Sequence, residues 1–114
     1  VLLLNQQAAS LPADQVAEAL QLLDKALQLQ PKTAYLYYNK GCVLGTQGRL
    51  QEAKEAFAKA LSLDDRMAEA YYNRGVVALL DGRTEQAIPD LSRAGELGFY
   101  RAYNLIKQAK KTIK

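Results

Sequence analysis

The chain has 114 residues, of which 49% are apolar and 24% are charged, and its net charge is +3. This length and composition fit one globular domain, and no apolar run approaches the roughly 20 residues that a membrane span requires. A single cysteine excludes an internal disulfide. Because histidine is the commonest general base and metal ligand, its complete absence argues against catalysis and metal binding. We therefore expect no enzyme activity, no cofactor, no metal and no membrane span.

The positive charge is concentrated at the C-terminus. Residues 101–114 contain five basic side chains and no acid, whereas the preceding residues are slightly acidic overall. The basic residues are Arg101, Lys107, Lys110, Lys111 and Lys114. This tail leaves one alternative function open, a nucleic-acid-associated helical repeat that uses the basic C-terminal helix, although nucleic acid is the less favoured partner.

The predicted elements are all helical, because small and apolar residues recur at i, i+3, i+4 and i+7 and no strand-like alternation occurs. Seven helices are predicted, at 1–9, 13–30, 33–47, 50–63, 67–81, 84–96 and 99–113. The first begins with the apolar stretch VLLL, which no preceding segment covers, so self-association through it is expected. Because the chain does not begin with Met, we expect a fragment or a processed piece of a longer protein, and its compartment is left open.

A repeat of 34 residues runs along the chain. The phrase YYNKG at 37–41 returns as YYNRG at 71–75, and Gly48-Arg49 returns as Gly82-Arg83. On the following helix, Ala53, Phe57 and Ala60 return as Ala87, Leu91 and Ala94. A period of this length is typical of stacked architectures in which each unit contacts only its neighbours. Gly48 and Gly82 stand where a helix must end, so each repeat is predicted to be helix, tight turn, helix.

These residues resemble the tetratricopeptide repeat family, whose unit places a large aromatic, a glycine four residues later, a turn glycine and an alanine–aromatic–alanine series in this order. The resemblance implies an all-α fold, a right-handed superhelical α-solenoid of antiparallel helix pairs. It implies one domain over 1–114, with a partial or divergent unit at 1–33, repeats at 34–67 and 68–101, and a capping helix at 102–114. The stretch AGELGFYRAY at 94–103 is also similar to Sel1-type repeats.

The resemblance implies a non-catalytic scaffold that binds a protein or peptide partner in a concave groove lined by the first helices. The residues predicted to line that groove are Tyr35, Tyr38, Asn39, Cys42, Thr46, Glu69, Tyr72, Asn73, Val76, Leu80, Tyr103, Ile106 and Lys107. Among them, Tyr38 and Tyr72 are expected to form an exposed ladder, whereas Tyr37 and Tyr71 fill the core. Scaffold packing remains the alternative for Tyr38 and Asn39, which are common residues of the family.

One subset of the family grips a C-terminal carboxylate with Lys, Asn and Arg side chains. Asn73 and Lys107 fit two of the places that such a clamp requires. Tyr38, Cys42 and Tyr103 stand where the subset carries Lys or Asn. Because a clamp needs convergent charge-assisted donors, it is predicted to be absent or incomplete in this chain.

Overall fold

The computed structural model describes residues 13–112, which form six helices joined by short turns and contain no strand. The helices are α1 (Ala13–Leu29), α2 (Ala34–Thr46), α3 (Leu50–Leu63), α4 (Ala68–Leu80), α5 (Thr84–Glu96) and α6 (Arg101–Thr112). Six of the predicted helices are thus confirmed, with ends within two residues of those expected. The predicted helix at 1–9, together with the self-association expected of it, lies outside the described residues. None of α1 to α6 is long and apolar enough to cross a membrane.

The helices pack as successive antiparallel pairs. α2 packs against α3, α4 against α5, and each pair is linked through its second helix to the first helix of the next unit. The turns that end α2, α4 and α5 contain Gly48, Gly82 and Gly98, which have φ values of 75°, 74° and 108°. This left-handed backbone is open to glycine without a Cβ clash, and it lets the chain reverse within three residues.

Two further glycines set the distance between the helices of a pair. A Cβ built on Gly41 would lie 2.7 Å from Phe57 Cε1, and one on Gly75 would lie 2.8 Å from Leu91 Cγ. Phe57 and Leu91 are both fully buried, so the second helix of each pair rests its large side chain directly on the backbone of the first. The repeated phrase thus ends in glycine because the helix crossing requires it.

The residue before each of these glycines forms an ion pair. Lys40 Nζ lies 2.8 Å from Asp24 Oδ1 of α1. Arg74 donates two hydrogen bonds to Asp90 of α5, of 2.9 and 2.8 Å. The expectation that both cations are solvated at the rim is wrong, because an acid from a neighbouring helix faces each of them. The hydrogen bonds with Asp90 raise the pKa of the Arg74 guanidinium above its ordinary value.

A third ion-pair group connects α3 to the turn after α4. Asp81 Oδ2 lies 3.0 Å from Lys54 Nζ and 3.1 Å from Arg83 Nε. The hydrogen bond from Lys54, followed by that from Arg83, lowers the pKa of Asp81. Because the folded-state pKa is lowered, this contribution to stability is present above the ordinary carboxyl pKa and is lost as the pH falls through the lowered value.

The helix crossing can be tested by adding one methyl group. Gly75→Ala should lower the free energy of unfolding by about 1–3 kcal/mol, because the new Cβ meets both Leu91 and the carbonyl oxygen of Ala87, which is 3.3 Å away. Urea denaturation measures the change. Gly45→Ala is the matched control within α2, since its Cβ would lie at the ordinary distance of 3.5 Å from Val77. Equal stability of the Gly75→Ala variant and the wild type would contradict this packing.

The two cations of the repeated phrase offer a second matched comparison. Arg74→Ala should cost about 1.5–3 kcal/mol, because it leaves Asp90, whose side chain is only 17% exposed, without its two charge-assisted hydrogen bonds. Lys40→Ala should cost less than about 1 kcal/mol, because Asp24 is 53% exposed and water replaces the lost partner. Denaturation of both variants by urea measures the difference. If Lys40→Ala proves the more damaging, the assignment of the tighter ion pair to Arg74 is wrong.

Candidate functional site

A pocket opens between α2 and α4, the first helices of the two complete pairs. Its volume is about 180 Å³. The residues that line it are Gly41, Cys42, Gly45 and Thr46 of α2, Phe57 of α3, and Asn73, Val76, Val77 and Leu80 of α4. We call it the α2–α4 pocket. Five of the predicted groove residues therefore meet at one place, namely Cys42, Thr46, Asn73, Val76 and Leu80.

The walls of the α2–α4 pocket are predominantly apolar. Phe57, which is almost fully buried, lies at its base, and Leu80, which is 66% exposed, lies at its edge. The hydroxyl of Thr46 donates to the carbonyl oxygen of Val43 at 2.8 Å and is thereby engaged within its own helix. None of the described residues that line the pocket is charged. The pocket therefore suits an apolar group and disfavours a charged one.

Asn73 joins the two first helices across the base of the groove. Its Nδ2 donates to the hydroxyl of Tyr38 at 2.8 Å and lies 3.8 Å from Cys42 Sγ. No described residue donates a hydrogen bond to Asn73 Oδ1. Since Nδ2 is held by α2, this amide can still accept a hydrogen bond from a partner's backbone N–H.

The structure corrects the prediction for Tyr38. Its side chain has no exposed surface, and its ring lies 5.9 Å from that of Phe57. Tyr38 therefore belongs to the core and cannot contact a ligand in the groove. The reason is that Asn73 of the next repeat lies over its hydroxyl. The expected exposed ladder of Tyr38 and Tyr72 does not form.

The other tyrosines of the repeated phrase are half-buried. Tyr72 packs against Phe99, with the ring centroids 4.6 Å apart. The Tyr71 hydroxyl donates to the carbonyl oxygen of Asp65 at 3.1 Å, and the Arg74 guanidinium lies 5.8 Å from the centre of its ring. Tyr37 is half-buried rather than a fully buried core ring, and Lys59 Nζ lies 5.9 Å from its ring centre.

The remaining predicted groove residues do not line the α2–α4 pocket. Tyr35 is exposed, Glu69 is half-buried, and Asn39 is half-buried with an Oδ1 atom that accepts no hydrogen bond from the described residues. On α6, Ile106 packs against the core that α4 and α5 share, while Lys107 is exposed. Tyr103 of α6 packs over Gly95 of α5 and stacks with Tyr100 at 6.5 Å, so it extends the surface beyond the pocket.

Four residues of the pocket lining escaped sequence reasoning, namely Gly41, Gly45, Phe57 and Val77. Gly41 and Phe57 had been assigned to packing alone, and they serve the crossing and the pocket together. Gly45 carried a usable signal, because Leu79 stands 34 residues later, where the repeat would place its equivalent. A missing side chain at one of two equivalent positions is a sign of open space between the helices.

The comparisons with known proteins agree with this fold. The tetratricopeptide repeat family model matches residues 38–98, more than half of the chain. The chain therefore belongs to the tetratricopeptide repeat family, a class of stacked helix pairs. The Sel1-like character expected near the last helix stays a prediction. No curated protein matches the chain.

Several solved structures share the architecture. MamA is 28% identical with a TM-score of 0.80 over 84% of this chain, which spans 57% of the MamA chain. The tetratricopeptide domain of Arabidopsis OM64 is 24% identical with a TM-score of 0.81, covering 88% of this chain and 84% of that domain. The first such domain of Spaghetti (RPAP3), bound to the HSP90 peptide SRMEEVD, is 20% identical with a TM-score of 0.83. The match covers 98% of this chain and 91% of that domain, and at this identity it shows the fold alone.

The burial of Tyr38 gives a direct test of the corrected helix face. Tyr38→Ala should cost about 3–5 kcal/mol of unfolding free energy, because it removes a fully buried ring. Tyr35→Ala is the matched control on the same helix, and it should cost below about 1 kcal/mol, because Tyr35 is 51% exposed. Urea denaturation of both variants measures the difference. Similar costs for the two would mean that the face of α2 is assigned wrongly.

Proposed function

We propose that the chain is a non-catalytic interaction scaffold that binds a segment of a partner protein in the groove between α2 and α4. The observation that carries this proposal is the open, uncharged α2–α4 pocket, with Leu80 two-thirds exposed at its edge. An exposed apolar patch beside a concave surface is typical of a protein-binding site. The match to an RPAP3 domain that holds a peptide offers a precedent for the fold.

The partner segment is proposed to bind in an extended conformation. Val76 and Leu80 lie one turn apart along α4 and offer apolar contacts, and Asn73 lies one turn before Val76. Its unoccupied Oδ1 accepts a hydrogen bond from the segment's backbone. This combination fixes the segment by main-chain contact at one point and by side-chain burial next to it.

A carboxylate clamp does not account for the groove. Tyr38 and Cys42 are buried where the clamp-bearing subset carries donors, and Asn73 Nδ2 is engaged by Tyr38. Lys107 is the one clamp position that offers an exposed cation, and it lies on α6 outside the pocket lining. These features support binding through apolar contacts and main-chain hydrogen bonds.

Leu80→Asp tests this function. The variant should bind at least about 10-fold more weakly, because the new carboxylate enters an apolar contact. Its unfolding free energy should stay within about 0.5 kcal/mol of the wild type, because Leu80 is largely exposed. Fluorescence anisotropy with labelled short peptides, selected on the wild-type protein from a random library of capped peptides, measures the affinity.

Leu29→Asp is the matched control, since Leu29 is 84% exposed and lies on α1, away from the pocket. It should leave the affinity unchanged. Unaltered binding by Leu80→Asp would contradict the proposed groove. The nucleic-acid alternative makes the opposite prediction for single-stranded RNA, which would then bind wild type and Leu80→Asp equally and dissociate steeply with added salt.

A further inference from the structure

Gly45 is a glycine that the fold does not require. The chain has seven glycines. Gly48, Gly82 and Gly98 have a positive φ, and a Cβ on Gly41, Gly75 or Gly95 would overlap a side chain of the facing helix. Gly45 has neither reason, since its Cβ would lie 3.5 Å from Val77 Cγ2 and 3.8 Å from Ala53 Cβ. Because glycine loses more conformational freedom than alanine in a helix, an alanine here would make the fold more stable.

What Gly45 provides is space. It lines the α2–α4 pocket, and the equivalent position of the next repeat holds Leu79, whose side chain packs against the core of α4 and α5. The first repeat therefore leaves open a volume that the second repeat fills with its own chain. A stability cost without a structural reason is best explained by a ligand that occupies the space.

We propose that Gly45 keeps the α2–α4 pocket open for one aliphatic side chain of about leucine size, carried by an extended partner segment with acidic residues beside it. This proposal rests on the proposed function and names the chemistry of its partner. The pocket of about 180 Å³ is smaller than the roughly 300–1,000 Å³ of small-molecule sites. It is close to the roughly 150 Å³ of an apolar cavity that holds a single benzene molecule.

The chemistry of the lining and of the next first helix selects the occupant. A charged side chain would lose its hydration in the pocket without gaining a partner, so the side chain that enters must be apolar. Beyond α4, helix α6 contains no acid, and Arg101, Lys107, Lys110 and Lys111 are all exposed. Acidic residues next to the aliphatic one would meet this positive field.

The test is a double-mutant cycle between the pocket and the peptide. The probe is the tightest peptide from the selection on wild-type protein, compared with a variant in which its aliphatic residue is replaced by alanine. On the wild type, this replacement should weaken binding at least about 10-fold. On Gly45→Leu, whose own side chain fills the pocket, the original peptide should bind about 10-fold more weakly than on the wild type, and the replacement should then change affinity by less than about 2-fold.

Gly45→Ala keeps the test decisive if Gly45→Leu does not fold. It should raise the Tm by about 2–5 °C, because alanine is the better helix former and its Cβ fits. It should also weaken the original peptide about 2- to 5-fold by narrowing the pocket. A lower Tm for Gly45→Ala would give the glycine a structural role and overturn the inference.

Further outcomes separate this inference from the proposed function. If Leu80→Asp abolishes peptide binding while Gly45→Leu or Gly45→Ala binds normally, the groove stands and the aliphatic pocket is wrong. If the selected peptides share no aliphatic residue, or if amidation of their acids leaves the affinity unchanged at low salt, the stated partner chemistry is wrong. If the wild type binds no peptide, the proposed function fails and the inference fails with it.

Discussion

The contact between a large side chain of one helix and the bare backbone of its partner is the constraint on which this structure depends. Phe57 rests on Gly41, and Leu91 rests on Gly75, at distances that no Cβ atom would allow. Each contact draws the two helices of a pair together and sets their crossing. Because the same contact recurs after 34 residues, successive pairs adopt the same geometry. The first helices α2 and α4 therefore present the same face to one side.

This stacking decides which side chains a partner can reach. The second pair covers part of the first, so Tyr38 is closed off beneath Asn73 while Leu80 stays open. Ion pairs hold the repeats elsewhere, with Lys40 bound to α1 and Arg74 bound to α5. The α2–α4 pocket is left with apolar walls and one amide. Stability and recognition thus draw on different residues of the same repeated phrase.

Much of this arrangement could be predicted from the sequence, because it depends on the position of a residue within its own helix pair. The turn glycines, the helix crossings and the pocket residues Cys42, Val76 and Leu80 all follow from the 34-residue register. The burial of Tyr38 could not be predicted in this way. It depends on Asn73, a residue of the next repeat whose approach is not encoded near Tyr38.

The ion pairs and Gly45 were hidden for related reasons. Lys40 and Arg74 occupy equivalent positions, yet their acids come from opposite directions along the chain, Asp24 before and Asp90 after. Gly45 is indistinguishable in sequence from a packing glycine such as Gly41, since both lie inside α2. The difference lies in the distance to the facing helix, which is a tertiary property.

Methyl NMR spectroscopy of the protein with a selected peptide tests most directly whether a partner occupies the groove. The account predicts chemical-shift changes concentrated on the methyl groups of Val76, Val77 and Leu80, which line the α2–α4 pocket. The methyl groups of Leu22 and Leu29, both exposed on α1, should serve as internal references that do not shift. Saturable shifts at Leu22 and Leu29, with Val76 and Leu80 unchanged, would contradict the account.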